Sequence, residues 1–404
     1  MSILFSVIST IYYFANSYFS FSYKEENKMT IRYSTKDVTI VVPVYNEEVG
    51  IFAETMKSLR NQGAVVKVFG DSCDGVYKQI AESMGFDFIK IEEHVGKRGV
   101  LSRSMQYVDT PLVMFVDSDT VLPQGAVLDM LKYFDDHVGG VGTNITINKS
   151  GHPVSYSSEF VERVREVIFK SISKNSSVMV LDGRCAMYRA DLVKPLLTSK
   201  EFTENIVMGR KSKLGDDRQI TSYLIRQGYR TVKDYNVYVR TYQYSSFKKF
   251  FRQQVRWGRV GWTYFFKDIW NGTARKAGAL YTFDLLYMYL LPLFTTIIAI
   301  LSLIYILPHI HFFFGGSGKI VYADAYLRLR LHDPSFIPIF WIIRTIVGFL
   351  NTAAIVIFGV TISVTIKKER FRVFAYGALG LLLMYISTIY ALFTFFKQDK
   401  WLTR

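Results

Sequence analysis

The hydrophobic pattern changes texture several times along the chain. Residues 3–23 carry no charge, are apolar and aromatic, and are about long enough to cross a bilayer. A signal peptide is the rival reading. The absence of a basic leader and of a small-residue cleavage site favours a retained anchor. From Val38 the pattern becomes that of an alternating α/β domain. Val38–Val44, Val65–Phe69 and Leu112–Val116 are short β-branched runs, and helical patterns fall between them at Glu48–Gln62 and Val76–Met84. Buried apolar strands alternating with helices predict a parallel sheet. Ligands of such sheets bind beyond the carboxyl ends of the strands. Polar clusters stand at those ends: Tyr45-Asn46-Glu47, Asp71-Ser72 and Asp117-Ser118-Asp119.

Ser245–Trp270 interleaves Phe247, Phe250, Phe251, Phe265 and Phe266 with Lys248, Lys249, Arg252, Arg256 and Arg259. A basic, aromatic, amphipathic stretch ahead of a membrane segment reads as an interfacial helix. Its alternative is a basic face on a soluble helix. Leu280–Leu307, with Asp284 inside, and Phe336–Ile366, with Arg344 inside, are long enough to span; residues 308–334 between them read as a loop. Val373–Phe396 is also apolar, but basic residues flank it at Lys367–Arg372 and in the terminal tail. Positive flanks prefer the cytoplasm, so this segment is expected to lie at the interface or re-enter. Three spans result, one N-terminal and two after the α/β domain; four is the alternative. The expected divisions are 1–23 as anchor, 36–244 as a cytosolic domain, 245–275 as interface helices, 280–366 as two spans, and 367–404 as an interfacial segment and tail.

Net charge is +15, from 49 basic and 34 acidic residues. Anionic lipid and anionic small substrates suit that balance. No zinc-knuckle or recognition-helix pattern points to nucleic acid. Two cysteines cannot build a disulfide framework, so a reduced cytosolic domain is the simplest reading.

The polar clusters carry candidate chemistry. Asp117-Ser118-Asp119 puts carboxylates two apart at a strand end, able to meet a sugar hydroxyl and a hard cation such as Mg²⁺ or Mn²⁺. The bland alternative is a turn. Asp216-Asp217 opens an expected helix over Arg218–Gln227, and can be a helix cap or a general base held near other carboxylates. Gln253-x-x-Arg256-Trp257 places a guanidinium and an indole together on one helix, suited to a diphosphate and a sugar face or to a lipid boundary. Gly96-Lys97-Arg98-Gly99 reads as a basic turn that touches phosphate or only solvent.

In order, Val42-Pro43-Val44-Tyr45-Asn46-Glu47, Asp71-Ser72-Cys73-Asp74-Gly75, Gly96-Lys97-Arg98, Asp117-Ser118-Asp119, Gly215-Asp216-Asp217-Arg218 and Gln253-Gln254-Val255-Arg256-Trp257 resemble the processive family-2 glycosyltransferases with a GT-A fold. The likeness spans about residues 38–270 and is greatest to hyaluronan and chitooligosaccharide synthases. It implies an α/β GT-A, Rossmann-like cytosolic domain with transmembrane helices and amphipathic interface helices. It implies a cell-membrane enzyme that takes sugar from a UDP-sugar, with Mg²⁺ or Mn²⁺, and extends and exports a β-linked polysaccharide. By the same likeness Tyr45, Glu47, Asp71 and Lys97 hold the uridine end, Asp117 the nucleotide and Asp119 the metal. Asp217 is the base. Gln253 and Arg256 attend the diphosphate. Trp257, Cys185 and Asp216 line the acceptor. Trp401 and Arg404, in a tail similar to a Trp-Gly-Thr-Arg gate, close over the donor. Arg184 stands where that branch often has Pro, and Leu402 where it has Gly. The short span count leaves a homodimer or a shorter product open. Transfer of one sugar to a lipid-linked acceptor is the alternative activity, and a non-enzymatic scaffold a third.

Overall fold

A computed structural model describes residues 2–25, 32–174, 176–243, 245–306 and 338–399. Trp401, Leu402 and Arg404, and the expected loop at 308–334, lie outside the described residues.

The β-branched runs become the centre of one sheet because they are buried on both faces. Its strands are β1 (Val38–Val44), β2 (Val65–Asp71), β3 (Asp87–Ile91), β4 (Leu112–Val116), β5 (Thr120–Val121), β6 (Val138–Ile147) and β7 (Cys185–Arg189), with β10 (Arg230–Thr241) beyond a separate small hairpin of β8 (Ile206–Val207) and β9 (Arg210–Lys211). The order is β3-β2-β1-β4-β7-β6-β10-β5. β1, β2, β3 and β4 run parallel. β7 inserts antiparallel between β4 and β6, an arrangement the purely parallel expectation does not contain.

The helices are α1 (Ser2–Phe21), α2 (Val49–Leu59), α3 (Val76–Ser83), α4 (Gly96–Ser104), α5 (Ala126–Leu131), α6 (Pro153–Ser173), α7 (Ala190–Leu197), α8 (Lys200–Thr203), α9 (Asp216–Arg226), α10 (Phe247–Trp270), α11 (Thr273–Ala277), α12 (Ala279–Ile306), α13 (Pro338–Thr365) and α14 (Arg370–Leu392). One sheet face packs Phe52, Met56 and Met130 against Ile40, Val42 and Met114. The other packs Leu101, Leu196 and Leu224 against Val41, Phe69 and Phe115. A third core joins α1, α6, α10, α12, α13 and α14 through Tyr12, Phe160, Trp262, Tyr281, Phe358 and Val373.

Ala279–Leu301, Ile342–Thr365 and Arg370–Leu392 are long and apolar enough to cross a membrane. These are not the three segments the sequence reading counts, since α14 is among them and α1 is not. α1 nevertheless runs beside α12 and α13, with Tyr12 stacked on Tyr287 at 3.6 Å and Tyr13 tilted against Phe358 at 5.2 Å. Phe349 is 74% exposed and Phe371 85% exposed, so these apolar faces need lipid rather than water around them.

α14 touches the α/β domain along its length. A side-chain carbon at Gly377 would lie 2.5 Å from the Phe160 ring, and one at Gly380 would lie 3.0 Å from the Ser157 carbonyl. Its N-terminal flank is held by Tyr156, which donates to Glu369 at 2.7 Å, and by Lys149, which donates to the Lys368 carbonyl at 2.8 Å. In its last turns Trp262 donates to the Thr388 carbonyl at 2.9 Å, and beyond its C-terminus Arg259 donates to the Lys397 carbonyl at 2.6 Å.

Candidate active site

The ends of β1 and β2 turn sharply, with Asn46 (φ 47°) and Ser72 (φ 56°) in the left-handed region that non-glycine residues rarely occupy. Such strain concentrates where geometry matters more than stability. Asp71, 2% exposed, is held by its backbone neighbours: Val95 and Gly96 donate N–H groups to its carboxylate at 2.8 and 2.9 Å. His94 Nδ1 lies 2.9 Å from the same carboxylate, and its ring stacks on Tyr45 at 4.2 Å. Tyr45 keeps 41% of its surface open, so one aromatic platform stands at the strand ends. Glu47 accepts from the Ser118 hydroxyl at 2.9 Å, which ties this platform to the end of β4. His94 was not singled out from the sequence; only its place two residues before Gly96 hints at it.

The Gly96-Lys97-Arg98-Gly99 stretch is the first turn of α4 rather than a solvated turn. Arg98 is buried and structural, donating to Leu214 and Phe202 carbonyls and to Gln219. Lys97, expected at the uridine end, reaches into the carboxylates. Its amine donates to Asp117 at 2.5 Å and to the Gly183 carbonyl at 3.2 Å, and lies 3.5 Å from Asp216. Gly183 in turn donates its N–H to Asp217 at 3.3 Å. Segments 97, 117, 183 and 216–217, far apart in sequence, thus meet at one ammonium group.

One cation cannot neutralise three carboxylates equally. At Asp216 burial works against ionisation, but Lys97 and then Arg98 outweigh it and hold the acid below its ordinary range. At Asp117 burial outweighs Lys97 and the acid is raised. Asp217 is pushed up to about 6 by burial, then by the neighbouring charges of Asp216 and Asp182, with Lys97 opposing. An acid near 6 in contact with its neighbours has the character of a general base at neutral pH. Asp216 and Asp217 lie in the first turn of α9, which starts two residues earlier than the sequence places the helix. Gly215 precedes them with φ 73°, and a side-chain carbon there would sit 2.7 Å from Val260 on α10. Arg218 anchors the turn from behind, donating to Asp268 at 2.8 Å and to Tyr281 at 3.0 Å.

α10 covers this turn. Trp257 lies under two guanidinium groups, Arg165 at 5.6 Å and Arg184 at 5.7 Å from its ring centre. Asp182 belongs to the 182–189 stretch that resembles the acceptor loop of the hyaluronan and chitooligosaccharide branch, but Arg165 and Glu162 were not expected from the sequence, because these α6 partners are far from residue 184 in the chain. Gln253 accepts from Gln243 at 2.7 Å at the end of β10, and Arg256 is half-buried beside Trp257. Cys185 is fully buried in the sheet core, and burial pushes its thiol up to about 12, so it supports the site from beneath and offers no open acceptor surface. The chain leading to the tail docks on α10: Gln398, 2% exposed, donates to Thr263 at 2.8 Å and accepts from Ser212 at 2.8 Å.

Among the described residues no three His, Cys, Asp or Glu side chains form a ready metal cage. Asp119 is half-buried, two residues beyond Asp117, and accepts weakly from Thr120 at 3.4 Å. That fits a hard divalent cation that takes one or two carboxylates and fills its shell with phosphate oxygens and water.

A sequence profile of the "Glycosyltransferase like family 2" matches residues 35–259. An N-acetylglucosaminyltransferase of Azorhizobium caulinodans is 28% identical over 244 residues, covering 56% of this chain and 59% of its own. A hyaluronan synthase of Streptococcus pyogenes serotype M1 is 25% identical over 253 residues, covering 57% of each. The chain therefore spans only about half to three-fifths of these relatives. In structure, a mannosyltransferase from Pyrobaculum calidifontis, solved with GDP-Man and Mn²⁺, superposes on 89% of this chain and 98% of its own with a TM-score of 0.56. At 15% identity that likeness is one of fold, and it extends through the long apolar helices as well as the sheet. With the profile covering more than half its length and the acids at the strand ends, this chain belongs to glycosyltransferase family 2.

Proposed function

We propose that the protein is a membrane-embedded, inverting glycosyltransferase that takes N-acetylglucosamine or a related sugar from a UDP donor and extends a β-linked polysaccharide. The observation that carries this reading is Asp217, an acid near 6, set beside Asp117, Asp216 and the one shared lysine. Tyr45 and His94 stack on the uracil, and Asp71 and Glu47 fix its surroundings. Asp117 contacts the nucleotide, Asp216 lines the acceptor, and Gln253 and Arg256 attend the diphosphate. Asp119 would hold Mg²⁺ or Mn²⁺, which when bound would supply charge neutralisation to the leaving group. The acceptor hydroxyl attacks the anomeric carbon in line while Asp217 takes its proton. The bond from that carbon to the phosphate oxygen breaks, UDP departs with the electron pair, and the configuration inverts. Lys97 favours the charged forms of Asp117 and Asp216 beside the diphosphate, and prevails over burial at Asp216. Trp257 carries the acceptor sugar by stacking.

The catalytic domain faces the cytosol, and α10 and α14 lie at the membrane surface. Contacts at both flanks of α14 support that placement. A 23-residue helix is roughly 35 Å long. A perpendicular crossing would carry one end far from the domain, whereas Glu369 and Lys397 both touch it. α1, α12 and α13 are then the spans.

The test is incubation of the full-length protein in detergent with UDP-GlcNAc, UDP-glucose and UDP-glucuronate plus Mg²⁺ or Mn²⁺. UDP release, product sizing and glycosidase digestion are read. A ladder or polymer with β-linkages is expected. Release of no UDP from any donor sinks transfer, and a single added sugar sinks processivity alone.

A further inference from the structure

Arg184 is where this chain departs from its resemblance, and the structure gives that side chain a definite job. Its Nε donates to Asp182 Oδ1 at 2.7 Å, and its Nη2 donates to Asp182 Oδ2 at 2.6 Å and to Glu162 at 2.8 Å. Asp182 and Glu162 are 8% and 5% exposed, and Arg165 braces both from the other side at 3.5 and 3.2 Å. A guanidinium gripped by two buried carboxylates has little freedom left. It is held over Trp257. Of its five N–H donors the acids engage three. Among the described residues Nη1 has no hydrogen-bond partner, although its plane is fixed beside the ring. One residue earlier, Gly183 donates to Asp217 and accepts from Lys97. Loop 182–184 therefore carries, in three consecutive residues, the carboxylate that locks the arginine, the contact to the base, and the arginine itself.

We propose that Arg184 is an acceptor-binding residue, whose locked guanidinium fixes the Trp257 ring and presents two Nη1 donors to the hydroxyl or acetamido oxygens of the sugar resting there. The proposal rests on the glycosyl-transfer reading above. A fixed donor pair beside a stacking ring selects for sugar orientation, since a misoriented acceptor leaves the donors unmet. Proline at this position removes the donors and leaves only Arg165 over the indole among the described residues, so the two residues specify different acceptor subsites on one scaffold.

Two calorimetric titrations on the full-length protein in detergent test it: chitotetraose as acceptor probe and UDP as donor probe, on wild type, Arg184→Ala and Arg184→Lys. Arg184→Lys keeps a cation between Asp182 and Glu162 but loses the planar fork, so it remains informative if the alanine variant does not fold. Both variants are expected to weaken chitotetraose by about 10-fold, the worth of one or two charge-assisted hydrogen bonds. UDP affinity stays within about 2-fold, because the donor platform at Tyr45 and Asp71 makes no contact with the clamp. In turnover, acceptor KM rises while donor KM holds. Unchanged chitotetraose affinity in Arg184→Lys overturns the proposal, as does an equal loss of UDP and chitotetraose, which marks a merely structural arginine. Absence of UDP release by wild type removes the transfer reading beneath it; wild-type turnover with unaltered acceptor affinity in the variants removes this proposal alone.

Discussion

The two halves of the site hold their acids in opposite ways. In the donor half, Asp71 is satisfied by backbone N–H groups of Val95 and Gly96. Those donors have no freedom to leave, so the carboxylate is held in one place. In the catalytic half, Asp117, Asp216 and Asp217 draw on one flexible side chain, Lys97, and the shortfall falls on Asp217. Backbone donors make a fixed cradle, whereas a shared cation makes a hierarchy of acidities. The first suits recognition of a nucleotide, and the second suits a group that must gain and lose a proton.

The sharpest way to break this contrast is Asp217→Asn. Turnover should fall by about 10³-fold while UDP affinity is kept; near-normal turnover would remove Asp217 from the base role. The same variant should be more heat-stable than wild type above pH 6. The acid's ordinary value is 3.8 and its folded value about 6, so the folded state binds more protons in that window. Stability is then lost as pH rises through the folded value, and a neutral amide does not incur that loss. Stability measured by thermal melting at pH 5 and pH 8 separates the two curves.

Lys97→Met tests the hierarchy itself. Wild-type turnover should fall as pH drops through about 6, because the base becomes protonated. Lys97 opposes the rise at Asp217, so its removal should move that midpoint to higher pH and lower the plateau. A midpoint that stays put would mean burial alone sets it. Next in size, Asp71→Asn should raise donor KM about 10-fold, since one carboxylate oxygen that accepts an N–H is lost, while the pH midpoint is unchanged. A shifted midpoint would show that the halves are not separate. Smallest, Gln398→Ala should lower stability by about 1 kcal/mol, since its hydrogen bonds join the chain before the tail to α10, and should leave both KM values alone.

The donor half was largely legible in the sequence because its logic is local. β1, β2 and β4 are β-branched runs that stop at polar clusters, and those clusters line the half proposed for the donor. The catalytic half was legible only in its acids. Nothing near Cys185–Arg189 announces a strand running against its neighbours; that direction is set by pairing with β4 and β6. β6 contains Gly139, Gly140 and Gly142, which weaken a strand pattern. The structure needs all three, since a side-chain carbon at Gly139 would strike Tyr229, one at Gly140 would strike Leu181 and Tyr188, and one at Gly142 would crowd Leu181. The clamp on Trp257 joins α6 to the loop before β7, and no spacing rule links Glu162 to Arg184. Cys185 was misread as lining because its neighbours are functional, while its own side chain belongs to the core.

The glycines of α14 have a consequence for how helix and domain move together. Phe160 and Ser157 fill the two notches so closely that no acyl chain can wedge between helix and domain. Helix and domain must then rise, sink and rotate as one rigid raft. Under the proposed placement of α14 at the lipid surface, this close seat holds the carboxylates around Lys97 at a constant height above it.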